Sequence, residues 1–325
     1  ELGRGAHGVV YLAEDLGRGG QHVALKLIDE RAGGAGFIEP AARILRWIRH
    51  PNWAEVLDAG MAAEGQWFEA LRYIKGRSLD QLEGPQDPEL VWRFLEDGAR
   101  VLQALHRHDL IHYDVTPGNV MRENLGDEVR FVLTDGGLAH VGPVKDVARG
   151  TPAYMAPELT QVGDHDHRVD LYSLGLVAFR HLTGRDAFEG RGADLLKHRR
   201  DHDAPSAAQY RSDTPKELDE LLRALLARNP NERPHDAVEL LGDIAKARGL
   251  DLEAFTEDEI LESTMGGPVF GRGAEIQRFQ LSLDALAERK SALEDVPRST
   301  PPKIQDPVLI LTGTPGCGAT SVARI

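Results

Sequence analysis

Two short polar loops hold the residues that could do chemistry. The stretch LIHYDVTPGNVM places Asp114 and Asn119 five residues apart, in a loop that contains Pro117 and Gly118. The stretch LTDGGLA places Asp135 at the end of an apolar strand. Carboxylate and amide oxygens are ligands suited to Mg²⁺. The alternative interpretation is a pair of surface turns, which are also rich in Asp, Asn and Gly.

A glycine-rich stretch near the start of the chain could lie against phosphate groups. GRGAHGVV has the form G-x-G-x-x-G-x-V, with Gly3, Gly5, Gly8 and Val10 at the fixed positions. Residues without side chains let the backbone lie close over a polyphosphate, although an ordinary hairpin turn has a similar composition. Lys26 follows on an apolar strand in VALK, where it is either a solvated strand residue or a ligand of the phosphates.

The elements that must position these residues change in character along the chain. Short apolar strands are predicted at Val9–Ala13, Val23–Ile28 and Trp67–Tyr73. Helical periodicity predicts helices at Glu39–Arg49, from Pro88 onward, and at Asp170–Leu182, Thr214–Ala227 and His235–Arg248. A chain that begins with strands and continues mostly with helices predicts an α+β fold with two lobes.

Composition excludes several classes of protein. The length of 325 residues predicts about two domains, and the formal net charge of -14 argues against non-specific binding to nucleic acid or to anionic membranes. Cys317 is the single cysteine, so no intramolecular disulfide is possible and a cytoplasmic location is expected. No run of roughly 18 apolar residues occurs, so no membrane contact is expected from this segment. Glu1 and Ile325 each lie close to a glycine-rich motif, so both ends look cut.

The order of the motifs resembles the protein-kinase family. After the glycine-rich stretch and VALK come H-x-D-x-x-P-x-N, then D-x-G at Asp135, A-P-E ending at Glu158, D-x-Y-S-L-G from Asp170, and a late arginine, Arg233. The chain is most similar to bacterial serine/threonine kinases of the eukaryotic type, over about residues 1–245. The resemblance implies a two-lobed kinase fold with a small β-rich N-lobe and a helical C-lobe.

The resemblance also implies cofactors and a substrate class. It implies ATP and Mg²⁺ as cofactors, and the GTPAY stretch that holds Thr151 implies a Ser or Thr hydroxyl of a protein as the acceptor. Leu71–Ile74 would be the hinge that meets adenine. The implied nucleotide-binding residues are Leu2, Gly3, Gly5, Gly8, Val10, Lys26, Leu71 and Tyr73.

Roles in catalysis follow from the same resemblance. Asp114 would orient the acceptor hydroxyl or accept its proton, with Lys26 and Thr116 as the other catalytic residues. Asn119 and Asp135 would hold the metal. Among structural residues, Glu158 and Arg233 would form a buried ion pair, and Asp170 would anchor the catalytic loop from below.

Two departures from the family pattern lie near the catalytic loop. Tyr113 stands where the family usually has Arg before the catalytic Asp, and residues 136–150 contain no Ser, Thr or Tyr. Since that Arg normally meets a phosphorylated residue, we expect that activation-loop phosphorylation does not switch this kinase. Thr116 stands where the family has Lys. Thr brings no charge to the transferring phosphoryl group, so slower transfer is expected.

Two further departures concern the lobe that holds Lys26. Gly136 stands in place of the Phe of D-F-G, and glycine is expected to leave a gap and a mobile Asp135. The helix glutamate that would pair with Lys26 is absent, because its usual position falls near Ala41. Glu39 lies two residues earlier, on another face of a helix, and could substitute only if the helix begins late.

A second domain is predicted after the kinase domain. The kinase domain is assigned to residues 1–248, a linker to 249–268, and the start of a P-loop NTPase-like module to 269–325. An apolar strand leads into GTPGCGATS, but Ala319 stands where the P-loop has Lys, so phosphate binding would be weak. The upstream stretch VFGRGAEIQRF resembles the start of AAA-type modules. A bare glycine-rich turn is the alternative.

The sequence therefore predicts an ATP- and Mg²⁺-dependent protein serine/threonine kinase in signalling, fused to a truncated α/β P-loop segment. The competing prediction is a pseudokinase that binds nucleotide or serves as a scaffold. The retained Lys26, Asp114 and Asn119 favour the enzyme. The substitutions at Thr116 and Gly136 favour the pseudokinase.

Overall fold

A computed structural model describes residues 1–5, 8–28, 44–45, 47–62, 66–136, 139–142, 150–160 and 165–250 of the chain. Contacts between residues divide the chain into two units, 1–266 and 267–325. The predicted P-loop module with Ala319 lies outside the described residues, as do Glu39, Ala41 and the predicted linker from residue 251 onward.

The first lobe is built on a five-stranded antiparallel sheet with the strand order β1-β2-β3-β5-β4. Its strands are β1 (Gly3–Gly5), β2 (Gly8–Asp15), β3 (Gln21–Ile28), β4 (Val56–Met61) and β5 (Trp67–Arg72). Apolar and β-branched residues recur along β2 and β3, as is typical of strands. The strands predicted from sequence are therefore confirmed, with ends that differ by a few residues.

The helix predicted at Glu39–Arg49 ends earlier than expected. Of the described residues between positions 39 and 49, only Ile44 and Leu45 are helical, and Trp47 already lies in a turn. The amide of Trp47 donates to the Ile44 carbonyl and the amide of Ile48 to that of Leu45, at 2.9 and 3.2 Å. Such i to i−3 bonds tighten the last turn of a helix, so the prediction that the helix reaches Arg49 is wrong.

The second lobe is mostly helical. Its helices are α1 (Pro88–His106), α2 (Arg168–Thr183), α3 (Gly192–Asp201), α4 (Lys216–Leu225) and α5 (Ala237–Arg248). Asp87 caps α1 by accepting a hydrogen bond from the amide of Glu89 at 2.8 Å. The helix α2 is buried along nearly its whole length, as expected of a helix that is apolar on most faces. The two-lobed α+β prediction is confirmed.

Short strands between the lobes position the polar loops. β6 (Gly76–Ser78), β8 (Val120–Leu125) and β9 (Glu128–Leu133) form one sheet, and β7 (Leu110–Ile111) pairs with β10 (His140–Val141). The loop with Asp114 joins β7 to β8, and Asp135 follows β9. The Thr134 amide donates to the Asn119 carbonyl at 2.8 Å, so both polar loops lie at one end of this sheet.

A connection between the lobes runs through the segment before β4. The Leu133 amide donates to the Asn52 carbonyl at 2.8 Å, and the Ala54 amide donates to the Leu133 carbonyl at 2.9 Å. Trp53, which lies between Asn52 and Ala54 in the chain, is buried. In the part of the chain that the structure describes, no helix is both long and apolar enough to cross a bilayer.

Candidate active site

The Asp114 carboxylate is held through both of its oxygens. Asn119 Nδ2 donates to Asp114 Oδ2 and to the Asp114 carbonyl, each at 2.8 Å. On the other side, the Thr151 amide and hydroxyl donate to Asp114 Oδ1 at 2.9 and 2.7 Å. Asp114 is buried, so the three hydrogen bonds to its carboxylate fix the orientation of the side chain, and the fourth holds its backbone.

Asp170, on α2, holds the backbone of the loop that precedes Asp114. Its two carboxylate oxygens accept hydrogen bonds from the amides of His112 and Tyr113, each at 2.8 Å. His106 Nε2 lies 2.8 Å from Asp170 Oδ2. Burial raises the pKa of Asp170, but the hydrogen bond and charge of His106 outweigh it and the pKa is lowered overall. The predicted anchoring role of Asp170 is confirmed.

The Lys26 side chain is almost wholly buried and makes an ion pair with Asp135. Lys26 lies on β3 and is 4% exposed, and its Nζ donates to Asp135 Oδ1. Burial lowers the pKa of Lys26, whereas the charges of Asp135 and Glu69 raise it and prevail. Lys26 therefore carries its positive charge in the protein interior beside Asp135. The interpretation of Lys26 as a solvated strand residue is wrong.

The glycine-rich motif forms the hairpin of β1 and β2. Gly3 lies opposite Val10, and Gly5 lies opposite Gly8. At Gly8, where φ is 145°, a Cβ atom would lie 1.9 Å from the Leu27 carbonyl oxygen, so a side chain is excluded. At Gly3 and Gly5, no atom of the described residues lies within 4 Å of such a Cβ. The motif is a hairpin, and its backbone at Gly3 and Gly5 stays open to a ligand. A hairpin is therefore compatible with phosphate binding at this motif.

The other predicted nucleotide-binding residues lie along the same sheet. The Leu2 amide donates to the Val10 carbonyl at 2.8 Å, which extends the hairpin. Leu71 is buried opposite Ala24 of β3. Tyr73 follows β5, and its ring lies edge-on to that of His22 with 6.4 Å between centroids.

Gly136 does not leave the gap expected from the missing Phe. A Cβ atom at Gly136 would lie 2.3 Å from Leu45 Cδ1 and 3.3 Å from the ring of Trp53. Trp53 also meets the ring of His112 edge-on, with 6.0 Å between centroids. The expectation of a gap is wrong because Trp53 and Leu45 already fill the space beside Asp135.

Thr116 and Tyr113 stand at the two positions where the family usually has a charged side chain. Thr116 is buried and precedes the single turn Pro117–Asn119. Tyr113 is also buried, has a φ of 64°, and its hydroxyl lies 3.0 Å from His165 Nε2. Tyr113 therefore joins the loop that holds Asp114 to the segment before α2 through His165.

The sequence did not predict the contact of Thr151 with Asp114. It used Thr151 only to indicate that the acceptor is a Ser or Thr hydroxyl. The contact depends on Gly150, which has a φ of 106°. A Cβ atom at Gly150 would lie 2.3 Å from the Tyr113 carbonyl oxygen. The glycine before Thr151 is the sequence signal of this close approach.

The segment after Thr151 is held by two arginines. Arg233 donates to both carboxylate oxygens of Glu158 at 2.6 and 2.8 Å, which confirms the predicted buried ion pair. Arg199, on the unpredicted helix α3, donates to the carbonyls of Pro152, Ala153 and Met155 at 3.2, 2.8 and 2.5 Å. The sequence of α3, GADLLKHRRD, has few apolar residues, so periodicity did not reveal it.

The chemistry of the donor set fits a nucleotide with Mg²⁺. Asn119 uses its amide nitrogen for Asp114, which leaves the amide oxygen as its metal donor, and Asp135 adds a carboxylate. These are hard oxygen donors of the kind that Mg²⁺ prefers. Within the described ranges, no group of three or more His, Cys, Asp or Glu residues could bind a metal without further ligands. Phosphate oxygens of the nucleotide would complete such a site.

Comparison with known proteins gives the family. The profile described as "Protein kinase domain" matches residues 1–243, and the chain therefore belongs to the protein kinase domain family. The serine/threonine-protein kinase PknL of Mycobacterium tuberculosis is 32% identical over 271 residues, which cover 79% of this chain and 65% of PknL.

Two other relatives carry the same kind of name. The serine/threonine-protein kinase pkn3 of Myxococcus xanthus is 32% identical over 259 residues, which cover 73% of this chain and 47% of pkn3. The DNA damage-responsive serine/threonine-protein kinase RqkA of Deinococcus radiodurans is 31% identical over 261 residues, covering 76% of this chain and 38% of RqkA. The chain thus spans less than two thirds of the length of these relatives. Their names support the predicted class of protein serine/threonine kinase, and none favours the pseudokinase.

Proposed function

We propose that the chain transfers the γ-phosphate of ATP to Ser or Thr hydroxyls of protein substrates in signalling, with Mg²⁺ as the metal. The observation that carries the proposal is the fixed carboxylate of Asp114. One of its oxygens accepts from Asn119 Nδ2 and the other accepts from the hydroxyl of Thr151. A Thr hydroxyl is the same chemical group as the acceptor, so Asp114 is placed to receive a hydrogen bond of the required kind.

Asp114 acts on the acceptor in this proposal. The acceptor hydroxyl donates to the Asp114 carboxylate, which aligns the hydroxyl oxygen with the phosphate and takes its proton during transfer. Because Asn119 fixes one oxygen and α2 fixes the backbone through Asp170, the carboxylate needs little reorganisation when the substrate binds.

Lys26, Asn119 and Asp135 serve the nucleotide. Lys26 binds the phosphates with its charged Nζ, and the open backbone at Gly3 and Gly5 covers them. Asn119 and Asp135 would hold Mg²⁺, which neutralises charge on the phosphates when bound. Thr116 adds no charge at the transferring group, so we expect transfer that is slower than in relatives with lysine there.

Transfer of radiolabel from ATP tests the proposal. The chain is incubated with Mg²⁺, radiolabelled ATP and a general protein substrate, beside the Asp114→Asn variant. We expect incorporation in the original protein and a loss of at least about a hundredfold in the variant, since general base catalysis contributes 10²–10⁴-fold. Equal incorporation by both proteins would refute the proposal that the chain is an enzyme. ATP binding without any transfer would support the pseudokinase alternative.

The predictions for the rest of the chain remain part of the proposal. Residues 269–325 are proposed to begin a P-loop NTPase-like module whose affinity for nucleotide is low, because Ala319 replaces the lysine. A cytoplasmic location is supported by the single cysteine, Cys317, since disulfides are rare in that compartment. The net charge of -14 supports protein substrates over nucleic acid as partners.

A further inference from the structure

A second buried carboxylate lies beside Lys26 and has no role in the mechanism above. Glu69 is on β5 and lies directly opposite Lys26 of β3. Both side chains are 4% exposed. Directly opposite residues on antiparallel strands project from the same face of the sheet, with Cβ atoms about 4.5–5.5 Å apart. Glu69 and Lys26 are therefore buried neighbours on one face of the sheet.

The register of the sheet extends this pair into a row. Gly3 lies opposite Val10, Val10 opposite Lys26, and Lys26 opposite Glu69. The row begins at the glycine-rich hairpin, which is open to a ligand, and ends at the buried carboxylate. Lys26 thus has Asp135 on one side and Glu69 on the sheet itself.

A glutamate at this position is costly for the fold. Burial raises the pKa of Glu69, and Asp135 raises it further, while the charge of Lys26 lowers it. A buried carboxylate generally lowers stability relative to an apolar side chain of similar size. Apart from Arg72 at its end, the other residues of the strand WFEALR are apolar, so packing alone gives no reason for an acid at Glu69.

Binding of metal and phosphates creates the need for this second carboxylate. Asp135 is the present ion-pair partner of Lys26, yet the proposed function assigns Asp135 to the metal. A lysine that depended on Asp135 alone would compete with Mg²⁺ for that carboxylate. A carboxylate on the rigid sheet can hold Lys26 without such competition.

We propose that Glu69 is the positioning residue for Lys26 and takes the place of the helix glutamate that is missing near Ala41. Its carboxylate holds the Lys26 ammonium toward the phosphates from β5 instead of from a helix. This inference rests on the proposed function, because it assigns Lys26 to the phosphates of ATP. It concerns the affinity for ATP with Mg²⁺ as well as the rate of transfer.

The main test compares three substitutions at Glu69. Glu69→Gln keeps the shape without the charge, Glu69→Met offers an apolar side chain, and Glu69→Asp keeps the charge on a shorter chain. Glu14→Gln is the matched control, because Glu14 lies exposed on β2 of the same sheet. Affinity for ATP with Mg²⁺ is measured by calorimetry, radiolabel transfer gives kcat/KM, and thermal unfolding gives Tm.

The Gln and Met variants are expected to lose about 10–100-fold in kcat/KM, as is usual for residues that orient a ligand-binding side chain. Their Tm is expected to stay level or to rise, because a costly buried acid has been removed while Lys26 keeps its ion pair with Asp135. The Asp variant should regain part of the activity, and Glu14→Gln should match the original protein. A purely structural role would instead lower Tm in the Gln and Met variants.

A double-mutant cycle with Lys26→Met tests the pairing itself. If Glu69 acts through Lys26, adding Glu69→Gln to Lys26→Met should change ATP affinity by less than about twofold, because the two effects are not additive. Additive losses in the double variant would overturn the inference. It would also be overturned if Glu69→Gln behaved like Glu14→Gln, or if Glu39→Gln alone reproduced the loss.

The readouts separate this inference from the proposed function. If transfer is absent or insensitive to Asp114→Asn, the proposed function fails, but ATP affinity still decides the role of Glu69. Weaker ATP binding by Glu69→Gln than by the original protein then supports the inference, and equal binding overturns it. A protein that binds no ATP at all would overturn both.

Discussion

The hydroxyl of Thr151 lies on the carboxylate that we assign to catalysis. It donates to Asp114 Oδ1 at 2.7 Å, beside the Thr151 amide at 2.9 Å. A phosphate on Thr151 would replace a hydrogen-bond donor with negative charge against a carboxylate. Tyr113, in place of the usual arginine, offers no positive charge to receive such a phosphate. The expectation that phosphorylation does not activate this chain thus acquires a physical reason.

Substitution of Thr151 by glutamate should therefore inactivate the protein. We expect Thr151→Glu to lower transfer by at least about tenfold, because two like charges about 4 Å apart near a protein surface repel each other by roughly 4 kcal/mol. Thr151→Ser, which keeps the hydroxyl, is the control and should retain most activity. Transfer rates and phosphosite mapping by mass spectrometry measure the outcome. An activating phosphate found at Thr151 would refute the idea.

Trp53 and Leu45 link three segments around Asp135. Leu45 belongs to the short helical segment before β4, Trp53 to the connection between the lobes, and Gly136 follows Asp135 directly. The Trp53 ring meets His112 and the site of a Gly136 side chain. Interiors packed to this density tolerate neither added nor removed volume without cost. The glycine is therefore matched to the tryptophan, and the two positions should be coupled.

The coupling of these two positions can be measured by unfolding in urea. Trp53→Ala should destabilise the protein by about 3–5 kcal/mol by leaving a cavity, and Gly136→Phe should destabilise it by about 1–3 kcal/mol or more by overpacking. The double variant should be more stable than the sum of the two losses predicts, because the new ring can enter the space that Trp53 vacates. Strict additivity would show that the two positions do not share that space.

Two histidines, the buried His181 and the half-buried His50, affect the response of the fold to acid. Burial lowers the pKa of His181, on α2, to about 4, and that of His50, before β4, to about 4 as well, with nearby arginines adding to the effect. An unfolded histidine binds a proton below about pH 6.5, whereas these rings stay neutral until about pH 4. Between those values the unfolded state binds more protons, so stability falls as the pH falls.

The loss of unfolding free energy attributed to His181 is on the order of 2–3 kcal/mol between pH 6.5 and pH 4. His181→Leu should remove that part of the pH dependence, since leucine binds no proton. His202→Gln, at an exposed histidine, is the control and should leave the dependence unchanged. Urea unfolding at a series of pH values from 7 to 4.5 measures it. An equally steep loss in His181→Leu would contradict the assignment.

Local sequence was sufficient for the class of fold and for the residues that we propose carry the reaction. The joint order and spacing of the motifs, with the family resemblance that they carry, marked Asp114, Asn119 and Lys26, whereas each short motif alone left alternatives open. The strands and most of the helices followed from hydrophobic periodicity, which is also local. The unpredicted helix α3 shows the limit, because its sequence is too polar for a clear pattern.

Contacts between distant segments could not be read in this way. Thr151 reaches Asp114 across 37 positions of the chain, and Glu69 meets Lys26 only through the register of β3 and β5. The space beside Gly136 is filled by Leu45 and Trp53, which come from segments far earlier in the chain. The motifs named the groups to which we assign the chemistry, because side-chain type and close spacing are properties of the chain. Which groups orient them was decided by tertiary packing, because burial, register and volume arise only when segments meet.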